Sequence, residues 1–291
     1  MKVQNDHSPL RYPGGKASII ETLIKIIEKN DLQYCHYAEP FAGGCGLALG
    51  LLMRGYVSQI HINDIDRGIW AFWKSVLNRN KELIDRIQAT TVCIDEWYKQ
   101  REIIRNPKNI NSFDLGFATF FMNRTNRSGI IKAGVIGGLS QSGNYLLDCR
   151  FNKDALSRRI ERIGLYAERI HLSNLDALNF LNKIDNNKTK TLACIDPPYY
   201  KQGSSLYTNF YQSHDHALLA NRILSLNIPW ILTYDNEEVI RQLYAKNQQV
   251  EFNLNYSAQT KKVGTELMVF SDGLNIPQDT ILRQLRPCIS N

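Results

Sequence analysis

The chain is predicted to fold as an α/β protein: a mainly parallel sheet with helices on both faces, a closing β-hairpin and a mainly helical insert. Three observations predict it. Short apolar runs bounded by turn residues recur along the 291 residues and read as buried strands. Between Tyr34 and Asp64, a strand, a glycine loop, a helix and a second strand ending in an acid follow one another. That order is the grammar of a mononucleotide-binding half-sheet. The excess charge is also local: Lys99 to Arg169 holds 13 Lys and Arg against 6 Asp and Glu, while the remainder holds 22 of each sign.

The elements follow in chain order. Leu10 to Lys16 is a loop rich in Gly and Pro, and Ile19, Ile20, Leu23, Ile24 and Ile27 lie at helical spacing after it. Tyr34 to Phe41 reads as a strand, Gly43, Gly44 and Gly46 as a tight loop, and Leu47 to Met53 as a helix. Ser58 to Ile62 is the next strand, closing on Asn63, Asp64, Ile65 and Asp66. From about Ile69 the grammar changes. Trp70, Trp73 and Leu77 predict one helix, Leu83, Ile84 and Ile87 a second, and Phe113 to Met122 a third. Asn123 to Asn152 is rich in Gly, Asn and Ser, and a structureless stretch of that length is usually functional or mobile. Strands return at Arg169 to Leu172, at Thr191 to Ile195 and at Trp230 to Tyr234, and Val250 to Tyr256 with Glu266 to Phe270 form a closing hairpin. The catalytic-type sheet is thus expected to comprise 1–69 and 166–291, and the insert 70–165.

Composition narrows the function classes. Hydrophobic residues make up 43%, enough for a core, yet no run of about 18 apolar residues predicts a membrane span. The first residues lack the apolar stretch of a signal peptide, and the cysteines at 35, 45, 93, 149, 194 and 288 have neither a CxxC nor a zinc-ligand spacing. A cytoplasmic protein with reduced thiols and no metal is expected. His214 and His216 alone have a metal-like spacing, and read as a helix start after Ser213. A basic segment beside a neutral remainder is either a polyanion-binding module or a solvated helical face.

The densest chemical signal is Asp196-Pro197-Pro198-Tyr199, directly after the apolar run ending at Ile195. Two prolines fix φ and remove two N–H donors, so the exit is stiff and extended. A carboxylate, carbonyl oxygens and an aromatic face then share one space. That set suits an exocyclic amine on a planar ring, the oxygens accepting from N–H groups and the aromatic ring stacking on the base.

With these residues in hand, the chain resembles the D12 class of N6-adenine DNA methyltransferases, which includes the GATC-type adenine methylases. The resemblance runs along nearly the whole chain in the family's order: Pro13-Gly14-Gly15-Lys16, Glu39 to Gly44, the acidic turn Asn63-Asp64, the insert, Asp196 to Tyr199, and the hairpin at Gly264 to Leu267. Two positions depart. Tyr12 stands where the family often has Trp, and Cys45 occupies the second glycine position of the phenylalanine loop.

The resemblance implies a Rossmann-like methyltransferase sheet, S-adenosylmethionine as cofactor, duplex DNA as partner, and a cytoplasmic, bacterial or phage-encoded enzyme of restriction-modification type. A monomer is the default. It implies catalytic roles for Asp196, Pro197, Pro198 and Tyr199: the acid and the Pro197 carbonyl accept from N6–H, and Tyr199 and Tyr200 supply a platform for a flipped base. The loop Ser204 to Phe210 could close over that base. Cofactor contacts carry over to Tyr12, Lys16, Glu39, Pro40, Phe41, Ala42, Gly43, Gly44, Asp64, Ile65, Asp176 and Asp196. Asp64 lies about twenty residues past the glycine loop, where an acid binds ribose hydroxyls or caps a helix; Asp66 is the better cap. Asp176 touches the cofactor's adenine ring or caps a helix. In the insert, Arg124, Asn126, Arg127 and Ser128 are candidates for reading bases, and Arg150, Asn152, Lys153, Arg158 and Arg159 for meeting phosphates. The same chemistry would serve an N4-cytosine or RNA N6-adenine methyltransferase. A catalytically inactive DNA-binding relative would keep the fold, but the intact Asp196 to Tyr199 argues against it. A nicotinamide oxidoreductase would need a GxGxxG and a proton donor, and the chain has neither.

Overall fold

The computed structural model describes residues 7–11, 16–201, 211–256, 262–277 and 285–287. Its centre is a sheet of eight strands: β1 (His36–Glu39), β2 (Gln59–Asn63), β3 (Ile170–Ser173), β4 (Thr191–Ile195), β5 (Trp230–Asp235), β6 (Gln249–Tyr256), β7 (Lys262–Phe270) and β8 (Leu285–Pro287). Their order is β3-β2-β1-β4-β5-β7-β6-β8. The first five in that order run parallel, and β7 lies antiparallel between β5 and β6. The predicted parallel sheet with a closing hairpin is therefore what forms. The three-residue edge strand β8, antiparallel to β6, has no counterpart in the sequence reading.

Strand alternation divides the core between two faces. Along β1, Tyr37 packs into one apolar cluster and Ala38 into the other, as a period of two requires. β4 is buried at every position, which explains its uninterrupted apolar run. One face carries α1 (Ile20–Lys29), α2 (Gly46–Met53) and the helices of the central block. The other carries α8 (Ala177–Asp185), α9 (Ser213–Leu224) and α10 (Glu238–Leu243). Among the described residues no helix is long and apolar enough to cross a membrane.

Between β2 and β3 lie α3 (Arg67–Asn78), α4 (Asn80–Ala89), α5 (Ile94–Arg105), α6 (Ser112–Thr125) and α7 (Lys153–Gly164). The sequence predicted α3, α4 and α6. It missed α7, although Asn152 caps it through Ala155 N–H and Leu156, Ile160 and Ile163 make its buried stripe. α5 was missed because only Trp97 and Gln100 of its residues are buried. α6 is buried almost all round and crosses α3 closely. A Cβ added at Gly116 would sit 2.5 Å from the carbonyl oxygen of Ala71. Phe72 and Phe120 stack beside that crossing at 5.6 Å.

The predicted long loop is shorter and more ordered than expected. α6 runs on to Thr125, a β-bridge pairs Asn126 with Val135, and the Gln141 side chain bonds Ile136 O, Gly138 O and Leu147 N–H. The central helices share one apolar cluster with the sheet face.

Candidate active site

A parallel sheet ordered 3-2-1-4-5 reverses direction between β1 and β4, and a crevice opens there beyond the carboxyl ends of the strands. In this chain every parallel strand delivers an acid to that edge: Glu39 ends β1, Asp64 follows β2, Asp176 follows β3, Asp196 follows β4 and Asp235 ends β5.

Glu39 and Asp64 hold the glycine loop. Glu39 Oε1 accepts from Ala48 N–H and from the Tyr37 hydroxyl, both at 3.1 Å. Asp64 accepts from Gly43 N–H and from Asp66 N–H, each at 2.9 Å. Burial, with the charge of Asp196 adding to it, pushes the Glu39 carboxyl up to about 8, against the hydrogen bonds it accepts. Burial, with Asp66 adding, pushes Asp64 up to about 7. Asp66, not Asp64, caps α3, accepting from Gly68 and Ile69 N–H. On the loop's other side Trp73 Nε1 donates to the Gly43 carbonyl at 2.9 Å. Gly43 has φ 45° and Cys45 has φ 50°. The left-handed region favours glycine, so Cys45 sits in a conformation that glycine would adopt without strain. Ala42 is buried, Ile65 is exposed, and Phe41 meets Tyr211 edge-on at 5.9 Å.

Asp196 is held from two sides. Lys16 Nζ lies 2.8 Å from each of its oxygens, and Thr233 Oγ1 donates to Oδ1 at 2.7 Å. Oδ1 thereby has two donors, and Oδ2 has Lys16. Lys16 also lies 3.3 Å from Glu266 Oε2 and 5.5 Å from the centre of the Tyr199 ring. The Tyr199 hydroxyl donates to Glu266 Oε1, and the residue is 5% exposed. Its ring is therefore largely covered. Asp235 fixes the following backbone, accepting from Tyr200 N–H at 2.9 Å and Lys201 N–H at 3.0 Å. Tyr12 and the loop Ser204 to Phe210 lie outside the described residues.

The structure thus brings together Lys16, Glu39, the 40–44 loop, Asp64 and Asp196 to Tyr199. Asp176 stands on the same edge, exposed, and caps α8 through Leu178 N–H. Sequence reasoning gave no role to Thr233, Asp235, Trp73 or Asn63. The buried Asn63 amide donates to Pro40 O and Leu175 O and accepts from Leu175 N–H, tying three strand exits together. A signal existed for Thr233 and Asp235: polar residues closing an otherwise apolar strand.

The candidate DNA contacts scatter. Arg127 and Arg150 are exposed. Asn126, by contrast, is fully buried: its Oδ1 accepts from Trp97 Nε1 and its Nδ2 donates to Ile131 O. Arg124 Nε donates to Arg150 O at 2.7 Å and Arg159 donates to Ser8 O at 3.2 Å, so both fasten the chain's own loops. Lys153 Nζ is bonded to Gln88 O, and Asn152 is spent on capping. Ser128 has φ 56° in the turn after α6. The turn is docked on the segment before Lys16: Asn123 bonds Arg11 N–H, Arg11 O and Gly129 O.

This strand order, with a glycine loop after β1 and acids at the strand ends, defines a Rossmann-like methyltransferase. The chain belongs to the D12 class of N6 adenine-specific DNA methyltransferases, whose profile matches residues 12–261. It is 27% identical over 137 residues to the Type II methyltransferase M.MjaIII of Methanocaldococcus jannaschii, covering 42% of this chain and 47% of that relative. The match therefore spans about half the relative's length. Among solved structures it is similar to a presumed RNA methyltransferase from Pyrococcus horikoshii (TM-score 0.46, 10% identity, 90% of this chain and 87% of that one). It is also similar to a presumed class I S-adenosylmethionine-dependent methyltransferase from Listeria monocytogenes (0.39, 10%, 90% and 62%).

The family's cofactor is S-adenosylmethionine, and the residues present fit it. A cationic sulfonium and ammonium suit an edge where the carboxyls of Glu39 and Asp64 hold a glycine loop that turns through the left-handed region at Gly43 and Cys45.

Proposed function

We propose that this chain is a site-specific DNA methyltransferase acting on the N6 amine of an adenine flipped out of duplex DNA. The observation that carries the reading is the position of Asp196: it leaves the central strand beside the glycine loop, charge-paired and oriented before any substrate arrives.

When bound, S-adenosylmethionine supplies an electrophilic methyl group. The protein's task is to make a poor nucleophile better. The N6 lone pair of adenine is delocalised into the ring. Asp196 Oδ2 accepts one N6 hydrogen, because Thr233 and Lys16 already fill Oδ1. The Pro197 carbonyl accepts the other. Two acceptors off the ring plane favour a tetrahedral nitrogen with a localised lone pair, aimed at the methyl carbon. Most of the rate then comes from positioning and electrostatics. Glu39, Asp64 and Trp73 fix the loop against which the cofactor binds, and Tyr199 supplies the stacking face.

N6 is paired within the duplex, so the base must leave the stack. Residues 70–165 are the recognition unit in this reading, supported by the local positive charge and the exposed Arg127 and Arg150. Arg127 reads a base edge and Arg150 meets a phosphate. Asn126, Arg124 and Asn152 hold the recognition loop in shape.

The test is incubation with S-adenosylmethionine and unmethylated genomic DNA, followed by single-molecule sequencing. N6-methyladenine confined to one short motif supports the reading. N4-methylcytosine keeps the mechanism and changes the base; methylation of RNA alone, or no transfer with cofactor bound, refutes it.

A further inference from the structure

Glu266 stands opposite Asp235 across the β5–β7 pair, at the end of the sheet nearest Asp196. It is 1% exposed, and buried carboxylates need partners. Its partners include two side chains that flank the amine site. One oxygen takes the Tyr199 hydroxyl and the other lies 3.3 Å from Lys16. Lys16, itself 5% exposed at the side chain, is therefore shared between Glu266 and Asp196.

Lys16 lies 2.8 Å from both oxygens of Asp196, so whatever fixes Lys16 also fixes that carboxylate. Methyl transfer makes N6 positive as its lone pair forms the N–C bond and the C–S pair departs to sulfur. The nitrogen then loses a proton. A carboxylate held in place beforehand stabilises that developing cation, and more strongly in a water-poor site.

We propose that Glu266 is a positioning residue for methyl transfer: it holds Lys16 in place, and through Lys16 the Asp196 carboxylate that faces N6, and it anchors Tyr199. This rests on the methyltransferase reading above. Its effect belongs to the transition state, so it should lower the transfer rate and leave ground-state binding of cofactor and DNA nearly unchanged.

The experiment is single-turnover methyl transfer with the full chain, beside equilibrium binding of S-adenosylmethionine and of duplex DNA. The wild type comes first; if it transfers no methyl group to adenine N6, the functional reading falls and this inference with it. Given wild-type transfer, Glu266→Gln, which keeps an acceptor for Tyr199, should lower the rate by about ten- to a hundredfold, the range of a charged contact. Both binding constants should stay within about threefold. Glu266→Asp, which keeps the charge, should recover most of the rate. An unchanged rate in Glu266→Gln overturns the proposal, as does a Glu266→Asp variant no faster than Glu266→Gln. Should Glu266→Gln fail to fold, Lys16→Met and Lys16→Met/Glu266→Gln, which remove the shared cation, serve instead. Equal rates for those two support an action through Lys16, and a further tenfold loss in the double variant refutes it.

Discussion

Thr233→Val isolates the orientation of Asp196. The substitution keeps shape and β-branching at a fully buried position and deletes one hydroxyl. That hydroxyl donates to Asp196 Oδ1 at 2.7 Å. A hydrogen bond to a charged group is worth about 1.5–3 kcal/mol. Two features place this one at the lower end: Asp196 keeps Lys16, and its side chain is 29% exposed, so water replaces part of the loss. About 1.5 kcal/mol, expressed in the transition state, is roughly a tenfold fall in rate. Losing the second donor also frees Oδ1 to compete with Oδ2 for N6–H, which blurs the geometry rather than the affinity. The assay is single-turnover methyl transfer to duplex DNA at saturating cofactor, with cofactor binding measured in parallel. A roughly tenfold slower variant with unchanged cofactor affinity is expected. Wild-type turnover in Thr233→Val would refute the argument that the rear of the carboxylate must be saturated for its front to be useful.

Four further outcomes are expected. Glu39 and Asp64 bind protons more tightly folded than unfolded, rising from 4.5 to about 8 and from 3.8 to about 7. The ligand-free chain should therefore lose stability as pH rises from about 5 through 8, because the folded state holds the extra protons. Denaturation midpoints at pH 6 and pH 9 check this: the higher pH should give the lower midpoint, Glu39→Gln should flatten the trend, and saturating cofactor, a cation, should shrink it. Gly116→Ala should destabilise by about 1–3 kcal/mol or more, since its Cβ meets backbone atoms of Ala71 and Phe72 rather than a movable side chain; thermal unfolding reads it. Arg150→Ala should weaken binding to all DNA sequences and lower the salt slope by about one, with stability unchanged. Arg124→Ala should instead lower the melting temperature, because its guanidinium fastens the 150 loop to the end of α6.

The sheet was legible because its strands obey simple patterns. β4 reads as an apolar run and β2 leads directly into an acid, and both fall where the sequence puts them within a residue or two. The positions of Asp196 and the glycine loop were legible for the same reason: each directly follows a strand. What could not be read was pairing at a distance. Nothing local marks Asn126 as a buried strut for Trp97, because Asn beside Arg has the composition of a base-reading loop. Nothing local joins Thr233 to Asp196, 37 residues away, until β4 and β5 are known to be neighbours. α5 was hidden because a helix lying on the outside of a helical layer needs only a narrow apolar stripe.

The departure at Cys45 has a physical consequence for the loop. Its backbone takes the left-handed conformation that the family's glycine would take freely, at φ 50°. A non-glycine residue there is strained by about 1–2 kcal/mol. The surrounding contacts must outweigh that strain. Trp73 holds the Gly43 carbonyl, Asp64 holds the Gly43 N–H, and the Cys45 side chain is itself buried in the core. The loop is thus shaped by its neighbours rather than by its own preference. Those same neighbours include the acid whose proton affinity burial has raised. A cation arriving at the loop favours ionised Asp64, and ionised Asp64 grips Gly43 N–H more firmly, since charged acceptors make the stronger hydrogen bonds. A cationic ligand that keeps Asp64 ionised should therefore firm the loop that Cys45 strains, and slower hydrogen exchange at Gly43 N–H with S-adenosylmethionine present would show it.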